Sequence, residues 1–133
     1  MRRRILLARI EHADRPQLTY TLVKKRERLV FYLNVGKRKV RVASISARYS
    51  DDVLSYALKL AGQANDGRIV LSEEAGDRLF LYIRVRPLIS EDRALNLKRT
   101  LSRLEPVELW FWAWKMREEP MRAASAFMRL YGV

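Results

Sequence analysis

Arg28-Leu-Val-Phe-Tyr-Leu-Asn-Val35, followed at once by Gly36 and then Lys37-Arg-Lys-Val-Arg-Val-Ala43, alternates side chains with a period of two. In an extended chain Leu29, Phe31, Leu33 and Val35 share one side, and Arg28, Val30, Tyr32 and Asn34 the other. In the second run Val40 and Val42 oppose Lys39 and Arg41. Gly36 marks a tight turn between the two. Toward the N-terminus, Arg4–Glu11 and Leu18–Lys25 are two further strand-like runs, set off by Asp14-Arg-Pro16 and Arg26-Glu27. Links this short predict an antiparallel meander with one buried face and one wet face.

The period then changes. Ser50-Asp51-Asp52 is a helix start, a capping hydroxyl followed by two carboxylates at the positive end of the dipole. Val53, Ala57, Leu60 and Ala64 continue it at helical spacing, and Asn65-Asp66-Gly67 ends it. Ile69–Ser72 and Leu79–Arg86 read as a hairpin around Glu73-Glu-Ala-Gly-Asp77, with Pro87 stopping the second strand. In that strand Leu79, Leu81, Ile83 and Val85 form an apolar side, and Arg78, Phe80, Tyr82, Arg84 and Arg86 an aromatic and basic one. Ser90-Glu91-Asp92 opens a helix with Ala94, Leu97, Leu101 and Leu104 at helical spacing. A last helix begins at Pro120, a favoured first-turn residue. It turns Met121, Ala124, Phe127, Met128 and Tyr131 inward, and Gly132 stands where a left-handed cap belongs.

Val107-Glu-Leu-Trp-Phe-Trp-Ala-Trp-Lys115 is nearly all apolar, so periodicity does not decide it. Aromatic enrichment favours a strand. As a strand it lines up Trp110, Trp112 and Trp114 about 7 Å apart, a stacking platform for bases. As a helix it points the three indoles in different directions, and the platform vanishes.

Composition bounds the function. The chain of 133 residues has 27 Lys plus Arg against 15 Asp plus Glu, one His and no Cys. Residues 1–48 hold 14 basic residues and three acidic ones (Glu11, Asp14, Glu27), so nearly all of the net charge of +12 sits in the first third. Self-repulsion on that scale favours a polyanionic partner, nucleic acid first. A thermophile surface is the competing explanation, supported by only three Asn and two Gln, but it predicts balanced ion pairs. Without cysteine there is no disulfide framework, thiol catalysis or thiolate-bound zinc. His12, the only histidine, has no second one with which to build a triad or a metal site. The pairs Asp51-Asp52, Glu73-Glu74, Glu91-Asp92 and Glu118-Glu119 could hold magnesium, but two of them start helices, where dipole complementarity accounts for them. The longest stretches without a charge are eight residues, Pro16–Val23 and Leu29–Gly36, too short to cross a bilayer. Met1-Arg-Arg-Arg has the look of a signal-peptide start, but Arg9 interrupts the apolar run Ile5–Ala8. A cytoplasmic protein without cofactor is expected, and no enzyme.

Three parts of the chain together carry a family resemblance: the basic sheet Arg28–Arg41, the segment Tyr49–Leu60, and the Trp-rich stretch Leu109–Trp114 with its following helix. In size, charge and aromatic pattern the chain resembles the thermophile archaeal single-stranded-DNA-binding proteins called ThermoDBP and their shorter relatives, over most of its length. The resemblance implies a fold other than the OB barrel that binds single strands through a basic cleft with exposed aromatics. Some members add a dimerising zipper, whereas no heptad run precedes Tyr131-Gly-Val133 here.

The expectation is therefore an α+β fold in one nucleic-acid-binding domain, residues 1–133. It has a mainly antiparallel sheet, the four-strand meander plus the later hairpin, covered on one face by about three helices. Its function would be sequence-tolerant binding of single-stranded DNA or RNA. Arg28, Lys37, Lys39, Arg41, Arg84 and Arg86 would neutralise phosphates, and Tyr32, Phe80, Tyr82, Trp110 and Trp112 would stack on bases. The alternatives are a ribonucleoprotein component recognising structured RNA, a protein-interaction module whose Trp stripe joins copies into a homo-oligomer, and a metal-dependent nuclease.

Overall fold

The computed structural model describes residues 4–15, 17–62 and 69–133. The first four strands are β1 (Arg4–His12), β2 (Leu18–Lys25), β3 (Arg28–Val35) and β4 (Arg38–Ser46). They pair in sequence as an antiparallel meander, as expected. Two-residue turns, Arg26-Glu27 and Gly36-Lys37, join β2 to β3 and β3 to β4. Each carries a positive φ of 58° at its first position, the place where II′-type hairpin turns use glycine. Gly36 meets that requirement, while Arg26 meets it only under strain.

A short strand, β5 (Ile69–Leu71), lies parallel to β1 and completes the order β4-β3-β2-β1-β5. Two bulges interrupt the ladders, at Leu7 between Leu6 and Ala8 and at Val42 opposite the Phe31/Tyr32 step. Each extra residue shifts the alternation by one. Ala8 thereby joins Leu22 on the apolar face, and Ala43 joins Phe31. That face carries Ile10, Tyr20, Leu22, Leu29, Phe31, Ala43, Ile45, Ile69 and Leu71, all buried. Tyr20 stacks on Phe31 at 5.3 Å between centroids, and His12 lies over Tyr20 at 6.2 Å.

The helices are α1 (Ser50–Ala61), α2 (Glu73–Val85), α3 (Ala94–Arg103), α4 (Pro106–Glu118) and α5 (Pro120–Tyr131). Helix α1 packs on β5 and buries Val53, Tyr56 and Ala57. Ser50 is its first residue, and the hydroxyl expected to cap it is buried without a hydrogen-bond partner. The expected end at Asn65-Asp66-Gly67 lies outside the described residues. Gly62, at φ +75°, caps the helix, its N–H donating to Lys59 O.

Leu79–Arg86, expected as a strand, is helical. Ser72 Oγ accepts from Ala75 N at 3.1 Å and so caps α2, and Glu73 and Glu74 sit in its positive first turn. Glu73-Glu-Ala-Gly-Asp77, expected as the hairpin turn, is instead the start of that helix. A Cβ at Gly76 would come within 3.3 Å of the Tyr20 hydroxyl, so the small residue serves a close approach. The strand alternation was an accident of a segment buried all round: Leu79, Phe80, Leu81, Tyr82, Ile83 and Val85 are each no more than 2% exposed.

Val107–Lys115 is helical as well. Glu105 and Glu108 form a reciprocal capping box around Pro106 at the first position. Leu109, Trp112, Ala113 and Met116 are buried, while Val107, Trp110, Phe111 and Trp114 are exposed. Both sets follow i, i+3, i+4, i+7 spacing, so α4 has an apolar stripe on either side and no amphipathic signature. Helix α5 runs beside it, with Ala123, Ala124 and Phe127 buried. Met121, expected inward, is exposed, and Gly132 takes the left-handed cap as expected.

The chain divides into two compact units, Met1–Gly76 and Asp77–Val133, with the division inside α2. Each is described by itself below.

Candidate nucleic-acid interface

In the first unit, the register of the meander assigns every residue of its polar face. One row across the sheet is Lys39–Asn34–Thr19–Glu11, the next Arg41–Tyr32–Thr21–Arg9. Beyond these come Ser44–Val30–Val23–Leu6 and Ser46–Arg28–Lys25–Arg4. Six cations, Arg4, Arg9, Lys25, Arg28, Lys39 and Arg41, therefore stand on one face around Tyr32. Among the described residues of β1–β4, Glu11 is the only carboxylate on it.

The sequence pattern had gathered Arg28, Tyr32, Lys39 and Arg41, and the register brings all four together. It had missed Arg4 and Arg9, because the bulge at Leu7 changes which side β1 residues face and no single-strand periodicity reveals a bulge, and Lys25, which the antiparallel register sets beside Arg28. Lys37 sits in the β3–β4 turn, exposed at the end of the face.

Two open cavities indent this surface. One, of about 540 Å³, is lined by Arg4, Leu6, Arg9, Thr19, Thr21, Val23, Asn34, Gly36 and Lys39. The other, of about 390 Å³, is lined by Lys25, Arg26, Glu27, Arg28, Val30, Tyr32, Arg41 and Ser44. Arg28 is held in place, its Nε donating to Ser44 Oγ at 3.1 Å. Lys39 Nζ lies 4.2 Å from the Tyr32 ring centroid and the Arg4 guanidinium 5.5 Å from it, both within cation–π range. A base stacking on Tyr32 would compete with these cations, which would then be free to meet the phosphates.

The remaining predicted residues belong to the second unit and form no sheet face. Phe80 and Tyr82 are buried on α2. Arg84 and Arg117 lie over the Phe80 ring at 5.7 and 5.5 Å, and burial pushes the Arg84 guanidinium below its ordinary pKa. Arg86 is buried, its Nη1 donating to Ile89 O at 3.2 Å, with Nη2 3.9 Å from Glu91 Oε2. Trp112 is buried too, and its Nε1–H donates to the Tyr131 hydroxyl at 3.1 Å. These five side chains are engaged in packing and polar contacts within the second unit.

Trp110 differs: it is 61% exposed and lies nearly parallel to Trp114, at 6.4 Å between centroids and 9° between planes. The helix thus pairs two of the three indoles after all, by i, i+4 spacing rather than by strand alternation. Lys115 Nζ lies 5.1 Å from the Trp114 ring.

His12 is structural. Its buried Nδ1 accepts from the backbone N–H groups of Asp14 and Arg15 at 3.2 and 3.1 Å. Among the described residues no group of three His, Asp or Glu side chains is placed to hold a metal ion, and no helix is long and apolar enough to cross a membrane. Compared with models of protein families, with curated proteins and with solved structures, the chain matches none.

Proposed function

We propose that the polar face of the β1–β4 meander binds single-stranded nucleic acid, tolerantly of sequence and without catalysis. The observation that supports this most is the convergence of six cations around one ring on a cavity-bearing sheet face. Cations hold a backbone regardless of sequence, and a ring accepts any base. Tyr32 is the sheet's stacking residue, and in the second unit the exposed pair Trp110 and Trp114 is an aromatic surface of its own.

A titration series with single-stranded DNA, duplex DNA and hairpin RNA tests the reading. Single strands should bind tightest, with quenching of Trp fluorescence where Trp110 and Trp114 take part. Equal or tighter binding of the duplex would overturn it, as would no binding at all. Addition of magnesium or manganese should leave the strand uncut.

One observation favours a second reading. Val107, Trp110, Phe111 and Trp114 form an exposed stripe on α4, between 40% and 70% accessible, and aromatic stripes of this kind also join copies of a chain. On that reading Trp110→Ala lowers the mass found by sedimentation equilibrium and leaves nucleic-acid affinity unchanged.

A further inference from the structure

The floor of the larger cavity holds a polar group with nothing to bind. Thr21 is 7% exposed, and its Oγ1 is buried without a hydrogen-bond partner. An orphaned hydroxyl destabilises the fold, and valine would fill the same space without that cost. Around it stand three cations, Arg4, Arg9 and Lys39, and among the described residues no carboxylate lines the cavity. Two residues along β2, Thr19 Oγ1 accepts from Asn34 Nδ2 at 3.3 Å, so its own proton remains available to donate. Cations and neutral O–H donors without a competing acid are the chemistry of a phosphate site. Nothing at the smaller cavity matches this, because Glu27 lines it.

We propose that this cavity seats one phosphate group, held by Arg4, Arg9 and Lys39, with the Thr21 hydroxyl turned to donate from the floor. The seat rests on the reading of this face as a nucleic-acid surface, and it makes one phosphate of the bound strand an anchored point. The remaining phosphates interact with the face as a diffuse field. The volume of about 540 Å³ leaves room for the attached sugar beside Leu6 and Val23.

Thr21→Val, Thr21→Ser and Arg9→Ala, each with thermal melting followed beside affinity, test the seat on a thymidine oligomer. Thr21→Val should melt no lower than the parent yet bind at least about tenfold more weakly, the equivalent of one hydrogen bond to a charged group. Its salt slope should be unchanged, because no charge is lost. Thr21→Ser should keep the parent's affinity, and Arg9→Ala should flatten the slope by about 0.7. Should Thr21→Val fold poorly, Thr21→Ala carries the same comparison.

Oligomers with and without a 5′-phosphate, and inorganic phosphate as competitor, separate the sources. A preference for the 5′-phosphate that Thr21→Val abolishes assigns the seat to a strand end, and indifference to both assigns it to an internal phosphodiester. Parental affinity in a well-folded Thr21→Val overturns the seat while leaving nucleic-acid binding intact. If the parent binds no strand, the functional reading fails. Inorganic phosphate that raises the melting temperature of the parent but not of Thr21→Val then still shows the seat.

Discussion

At φ +58° a β-carbon crowds the following carbonyl oxygen, and Arg26 holds that conformation at the head of the β2–β3 turn. Arg26→Gly relieves it and should raise the unfolding free energy by about 1 kcal/mol in urea titrations. An unchanged or lower value would show that the arginine side chain contributes more than the strain costs. Tyr131 carries a second residue-level expectation. Burial pushes its phenol above the ordinary tyrosine pKa, the Glu108 carboxylate adds to the rise, and the hydrogen bond from Trp112 works against it. The neutral phenol is thus the form that the fold prefers. Its contribution is complete below the unfolded value near pH 10 and is lost as pH climbs through the raised folded value. The stability difference between the parent and Tyr131→Phe should therefore shift against the parent above pH 10, and a difference independent of pH would refute the coupling.

Among the elements, α4 separates what was legible in the sequence from what was not. The meander was readable because one buried and one wet face impose a period of two on β3, and turn residues punctuate it. Helices α2 and α4 were misread for different reasons: in α2 an accidental alternation over Leu79–Arg86 imitates a strand, and in α4 apolar stripes on both sides erase the periodic signal. The caps still carried information. Ser72 before Glu73-Glu74, and Pro106 followed two residues later by Glu108, are both helix starts written in residue types. The candidate site divided along the same line, so that the meander kept Arg28, Tyr32, Lys39 and Arg41, while α2 took Phe80, Tyr82 and Arg84 into its packing and the turn after it took Arg86. The α4 assignment itself has a direct test. In a strand Trp110 and Trp112 would be equivalent, whereas in the helix they are opposites. Trp112→Ala should cost about 3–5 kcal/mol of folding free energy, and Trp110→Ala less than about 0.5. Similar losses at both positions in chemical denaturation would contradict the helix.

For the whole molecule, charge is the dominant fact: a net +12, nearly all of it in the third that folds into the meander. If that face holds four to six phosphates, log K should fall with log salt at a slope of about −3 to −4. Binding indifferent to salt would move the weight to the α4 stripe. The same charge has a consequence at the border of the sheet. Among the described residues β4 ends the order, so no further strand pairs with the outer row of its backbone N–H and C=O groups. Such a row is a template on which another chain can add itself, the first step toward aggregation. Arg38, Lys39 and Arg41 spaced along β4, with the kink at Val42, repel a second copy before its backbone can align. A polyanion that neutralises those side chains removes the electrostatic part of that protection. If the face binds a strand as proposed and copies crowd side by side on it, the bulge alone then stands between a bound array and sheet-to-sheet growth.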